Sequence, residues 1–215
     1  MTRAAVAVGI LLLMLVACSK NQPVKQDREP KLKALLATTD KLLIKDFYET
    51  QSVSPPVPPP SVGAYHITTS WVPGHISFEP IIVSEPAGEQ GKEPSRLKGL
   101  RVEVQSKTYK VDTTKGKQEE SAAFLDDDEA RDFDTALTYL AGIAGEWQKQ
   151  KPDHYREVMF QSKDSFVATL FIADEGPVIL VKSGTLGAAM LTIPSAQFGE
   201  VQSKLRAALK SLDTH

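Results

Sequence analysis

The run from Asp126 to Trp147 constrains the fold more than any other stretch of the chain. Phe133, Leu137, Leu140, Ala141, Ala144 and Trp147 recur on one face for about six helical turns. Asp126 is placed to cap this helix, and Glu129, three residues on, completes an acidic capping box. Lys149, Lys151 and Pro152 end it. A chain with one long amphipathic helix must bury its apolar stripe, and the segments on either side offer strands to bury it against. Tyr65, Ile67, Thr69 and Trp71 alternate up to a turn at Pro73-Gly74. A second strand follows from His75 to Ser84, broken near Pro80. Then come Leu97 to Val111, a charged hairpin tip at 113–120 and a short strand at Ala122 to Leu125. Beyond the helix, four strand-like runs cover Tyr155 to Gln161, Phe166 to Ala173, Val178 to Lys182 and Ala188 to Ile193. Turn residues separate them at Lys163-Asp164, Asp174-Glu175-Gly176-Pro177 and Ser183-Gly184. A final helix opens at Pro194-Ser195, with Phe198, Val201, Leu205, Ala208 and Leu212 on its apolar face. Short connections favour antiparallel neighbours. The expectation is an α+β fold: one antiparallel sheet of about six to eight strands, two amphipathic helices on one face, and an N-terminal helix.

The first residues carry a different signal. One basic residue, Arg3, precedes an apolar stretch from Ala4 to Met14 and then Leu15-Val16-Ala17-Cys18. The apolar core is about a dozen residues, short of the ~20 a spanning helix needs. The segment resembles a bacterial lipoprotein signal peptide with its lipobox. The resemblance implies a diacylglyceryl group on the Cys18 sulfur, cleavage between Ala17 and Cys18, and acylation of the new amine. Two or more chains hold a protein stably at a bilayer. Ser19, with no aspartate at that position, resembles lipoproteins sorted to the periplasmic side of the outer membrane in Gram-negative envelopes.

The expected organisation is a signal peptide at 1–17 and a lipidated polar tether at 18–30. An N-terminal helix and Pro-rich linker occupy 31–62, and the α+β domain 63–215. Leu32, Leu35, Leu36, Leu42, Leu43 and Phe47 predict a helix over Lys31 to Thr50, with a split at Thr38-Thr39-Asp40 and a strand from Leu42 as the alternative. Pro55-Pro56-Val57-Pro58-Pro59-Pro60 reads as a stiff spacer.

With 41% apolar and 24% charged residues, the chain can bury a core. Loss of Arg3 on cleavage leaves 24 basic and 27 acidic side chains, a net charge of −3 that argues against nucleic acid as a partner. A lipidated Cys18 leaves the mature chain no thiol and no disulfide.

Candidate chemistry is sparse. Asp126-Asp127-Asp128-Glu129, with Asp132 and Asp134, has the carboxylate density a divalent cation takes. It lacks the glycine and terminal glutamate of a calcium loop, and helix-start electrostatics account for its placement. His66 and His75, with Glu79, approximate a metal set across a hairpin. His154 and His215 add no zinc spacing. No serine elbow, Walker loop or dinucleotide fingerprint occurs, and Ser183-Gly184-Thr185-Leu186-Gly187 reads as a hairpin turn. Trp147 is expected in the core. Trp71, at a strand end, is also read as core packing, with carbohydrate or peptide contact as the alternative if it is exposed.

Lys98-Gly99-Leu100-Arg101-Val102-Glu103-Val104, Ala123-Phe124-Leu125 leading into the capped helix with Ala136-Leu137-Thr138-Tyr139-Leu140, and Tyr155-Arg156-Glu157-Val158-Met159-Phe160 resemble a family of uncharacterised bacterial exported proteins. The likeness spans roughly residues 40 to 212 and implies a fold but no activity. The sequence therefore leads to no catalytic residue, no metal and no cofactor. It points to a lipid-anchored, non-catalytic binding or scaffold module, with the membrane and an envelope protein as its partners. A metal-dependent envelope hydrolase using the acidic cluster or the His66/His75 region, and a small-ligand carrier with a pocket between sheet and helices, are the alternatives.

Overall fold

The structure is a computed structural model that describes residues 29–38, 42–55, 74–86, 96–108, 117–173, 176–184 and 189–215. The cleavage site Ala17-Cys18, Pro56 to Pro60, the Tyr65 to Trp71 run, His66 and the tip of the hairpin at 113–116 lie outside the described residues.

A short helix, α1 (Lys31–Leu36), comes first. Strands β1 (Ile44–Phe47), β2 (Gln51–Val53), β3 (Gly74–Ser84), β4 (Arg96–Thr108) and β5 (Lys117–Asp126) follow, then helix α2 (Asp127–Lys149). Strands β6 (Val158–Gln161), β7 (Val167–Ala173), β8 (Gly176–Ser183) and β9 (Ala189–Pro194) precede one 3-10 turn and helix α3 (Phe198–Thr214). The fold is α+β and every strand pairing is antiparallel, as the turn chemistry predicts.

Two corrections follow. The strands form two sheets, β1/β2-β3-β4-β5 and β6-β7-β8-β9, not one. The reason is α2. It leaves directly from the end of β5, and its 23 residues carry the chain about 34 Å along its axis. β6 then starts beside β7, away from the β5 edge. The second correction concerns residues 31–50. The helix stops at Leu36, and Ile44–Phe47 joins β3, as in the split alternative.

Alternation sorts the first sheet into two faces. Ile76, Phe78, Ile82, Leu100, Val102, Val104, Ala123 and Leu125 point inward, all buried. They share one core with Ala168, Leu170, Ile179, Val181, Leu191 and Ile193 of the second sheet and with the apolar stripes of α2 and α3. Phe133 sits at its centre, 4.9 Å edge-on from Phe166 and 5.1 Å from Phe160. The helices run antiparallel: Gln148 of α2 donates to Ser195 Oγ beside the start of α3, and Arg131 near the start of α2 pairs with Asp213 near the end of α3.

Pro80, expected to break a strand, lies inside β3. Phe47 faces Ile81 and Gln51 faces Phe78, so three edge residues oppose two of β3, a β-bulge. Tyr48 N–H donates to the Pro80 carbonyl there at 3.3 Å. The proline's missing donor thus faces the bulge, where the ladder is already interrupted.

Candidate functional site

The outer face of the first sheet carries a second, smaller apolar cluster. Leu32, Ile81 and Val83 are fully buried, with Leu35, Leu36, Leu43, Leu97 and Phe124 packed around them. Leu32 fits because position 99 is glycine. A Cβ there would stand 2.8 Å from Leu32 Cδ2 and 2.3 Å from the Leu125 carbonyl oxygen.

The carboxylates of the acidic run secure this helix. α1 begins after Pro30 and has no side-chain cap of its own. Its first two amides, Lys31 N–H and Leu32 N–H, each donate to the Asp126 carboxylate at 2.9 Å, across 95 and 94 residues of sequence. Glu129 closes the capping box predicted for α2, accepting from Asp126 N–H at 3.3 Å. Its other oxygen accepts from Lys163 N–H at 2.8 Å. Asp164 accepts from Phe124 N–H at 2.9 Å and pairs with Lys33. The three carboxylates therefore join α1, β5, α2 and the β6–β7 turn into one clasp (charge-assisted bonds to amides are among the stronger kinds). Among the described residues, no group of three or more His, Cys, Asp or Glu is arranged to hold a metal ion. Asp127 and Asp134 are engaged by Arg131 and Arg206.

Among the described residues, the others singled out in the sequence do not converge. His75 Nδ1 shares a hydrogen bond with Ser54 Oγ at 2.9 Å, while Glu79 pairs with Arg101 at 3.3 Å. His215 stacks on Tyr48, ring centroids 4.1 Å apart. His154 is exposed. Ser183 is completely buried, its hydroxyl sealed from any substrate.

Among the described residues, a surface hollow lies at the other end of α2. Beyond Lys149 the chain turns back without regular structure through Pro152 to β6 and leaves a groove of about 500 Å³ against the last helical turns. Glu146, Trp147, Lys149, Lys151, Asp153 and Arg156 line it. Trp147 is half-buried, with one part of the indole on the core and another on the groove. A smaller hollow of about 230 Å³ adjoins it between Tyr155 and Ile172. Tyr155 O–H donates to Glu157 at 3.0 Å, and that bond raises the phenol above its ordinary pKa. Tyr155 is 75% exposed and Met159, on the edge strand β6, 57%. An exposed edge strand beside a groove of charged side chains around Trp147 and Pro152 is a template for an extended peptide segment, which adds main-chain bonds along the edge and seats side chains in the groove. The sequence marked Trp147 only as core. A proline just after the helix end, followed by Tyr155 and Met159 flanking the polar pair Arg156-Glu157, was the available signal for the groove.

No family model matches this chain, and comparisons with curated proteins and with solved structures find no match either.

Proposed function

We propose that the chain is a lipid-anchored cell-envelope protein that acts by binding, as an accessory or scaffold subunit with no chemistry of its own. In a Gram-negative envelope the Ser19 signal favours the periplasmic side of the outer membrane. One observation carries the reading. The N-terminal segment is clasped at Asp126, where α2 begins, and the groove with its exposed edge strand lies where α2 ends, about 34 Å along the axis. A protein held at one end and presenting a docking surface at the other fits an accessory subunit. The titratable groups also support binding over catalysis, because the carboxylates of the acidic run hold backbone amides and arginines in place.

The test is affinity purification of the lipidated, full-length protein from native membranes, beside a Tyr155→Ala/Met159→Ser variant. Both side chains are exposed, so the variant keeps its fold. An envelope protein in stoichiometric amount with the wild type and lost with the variant is the expected result. A wild-type protein that elutes alone contradicts the reading.

A further inference from the structure

The second exposed apolar surface surrounds β1. Leu42 is 78% exposed, Ile44 52% and Phe47 55%. Three large apolar side chains within six residues are unusual on an isolated solvent-facing edge. Ile44 faces Ser84 and Phe47 faces Ile81, so the two project from opposite sides of the sheet, around its rim. Register places this rim at the clasped end. Phe47, Ile81, Gly99 and Asp126 form one row across four strands, about 14 Å from end to end.

The rim is also the described strand nearest in sequence to Cys18. Eleven residue steps separate Cys18 from Glu29, a reach of at most about 40 Å. Charge divides the same way. Residues 18–50 hold seven basic and five acidic side chains, whereas residues 51–215 hold seventeen and twenty-two. On the rim itself Lys45 is exposed together with Asp46 and Glu49, so the basic excess belongs to the tether and α1 that join the rim to Cys18. An anionic bilayer attracts the first segment and repels the remainder. Among the described residues no helix is long and apolar enough to cross a membrane.

We infer that the rim formed by Leu42, Ile44 and Phe47 seats on the anionic face of a phospholipid bilayer and fixes how the anchored domain stands. This rests on the reading that Cys18 carries the anchor. Apolar side chains at the headgroup boundary gain by leaving water, and the tether makes the contact effectively intramolecular, so a weak patch is well occupied.

The experiment couples the mature chain, residues 18–215, through the Cys18 thiol to a maleimide-headgroup phospholipid in vesicles. Hydrogen exchange is then followed by mass spectrometry. On phosphatidylcholine/phosphatidylglycerol vesicles the amides of residues 42–49 should exchange about tenfold more slowly than on pure phosphatidylcholine, as for a surface covered about nine-tenths of the time. Residues 151–157 should be unchanged. Leu42→Ser with Phe47→Ser, and separately Lys45→Glu, should each remove the slowing. All three positions are exposed, and a thermal melt confirms the fold. Equal exchange on both vesicles overturns the inference, as does slowing at 151–157 instead. Slowing without vesicles that grows with protein concentration also overturns it, because the rim would then meet a second copy. Coupling makes these outcomes independent of lipidation in the cell. The mass of the protein isolated from membranes tests that reading by itself.

Discussion

The two ends of α2 are built differently. At its start, Asp126, Glu129 and Asp164 spend their oxygens on backbone amides, and Leu32 is sealed over Gly99. At its end, Lys149, Lys151 and Arg156 surround a groove, and Tyr155 and Met159 stand in solvent. The contrast separates holding from offering. Buried, bonded carboxylates fix the N-terminal segment to the fold, while a groove and an exposed edge strand offer surface to another molecule. Substitutions at the first end should therefore cost order, and substitutions at the second should cost partners.

The strongest way to break the comparison is through the core both ends share. Phe133→Ala removes a fully buried ring touching Phe160 and Phe166 and should cost about 3–5 kcal/mol, lowering cooperative unfolding of the whole fold by thermal denaturation. Leu32→Ala removes a buried side chain from the small outer cluster and should cost about 2–5 kcal/mol locally. Limited proteolysis should then cut near α1 while the groove strands stay protected. Equal loss of protection at both ends would dissolve the distinction.

Much of this arrangement was legible in the sequence. The 3.6-residue stripe gave α2 its limits, the Asp126/Glu129 spacing its capping box, and turn residues located the four strands after it. The division into two sheets was not readable, since alternation says that a strand has two faces but not which strand lies beside it. The six residues of α1 looked longer because leucines at 42 and 43 continue a helical spacing that β1 overrides by pairing with β3. Asp126 read as a cap for the helix it precedes. Its bonds to Lys31 and Leu32 depend on a partner 95 residues away, and the only local hint was a helix that starts after proline without a cap. At the other end, Trp147 read as core and packs only partly on it, and the groove is made by how the chain returns from Pro152, which no periodicity encodes.

Smaller effects sharpen the contrast. Asp126→Ala leaves two amides of α1 without acceptors and should cost about 1–3 kcal/mol by denaturant titration, with α1 losing exchange protection first. Tyr155→Phe removes only the bond to Glu157 on an exposed ring and should change stability by less than about 0.5 kcal/mol. Partner recovery is the readout there. The weakest effect is electrostatic. The hydrogen bond from Arg131 holds the Asp213 carboxyl below its ordinary range. The folded state therefore binds that proton less readily than the unfolded chain. The contribution is present above the ordinary carboxylate pKa and fades as pH falls through the lowered value. The stability difference between wild type and Asp213→Asn should shrink in acid, and growth of that difference in acid would contradict the assignment.

The most direct test of the two-ended account is photo-crosslinking in living cells, with a photoreactive residue at position 155 in one strain and at position 44 in another. The account predicts a discrete protein adduct from position 155 and no protein adduct from position 44, which lies against lipid. A protein adduct at position 44 with none at position 155 would contradict it.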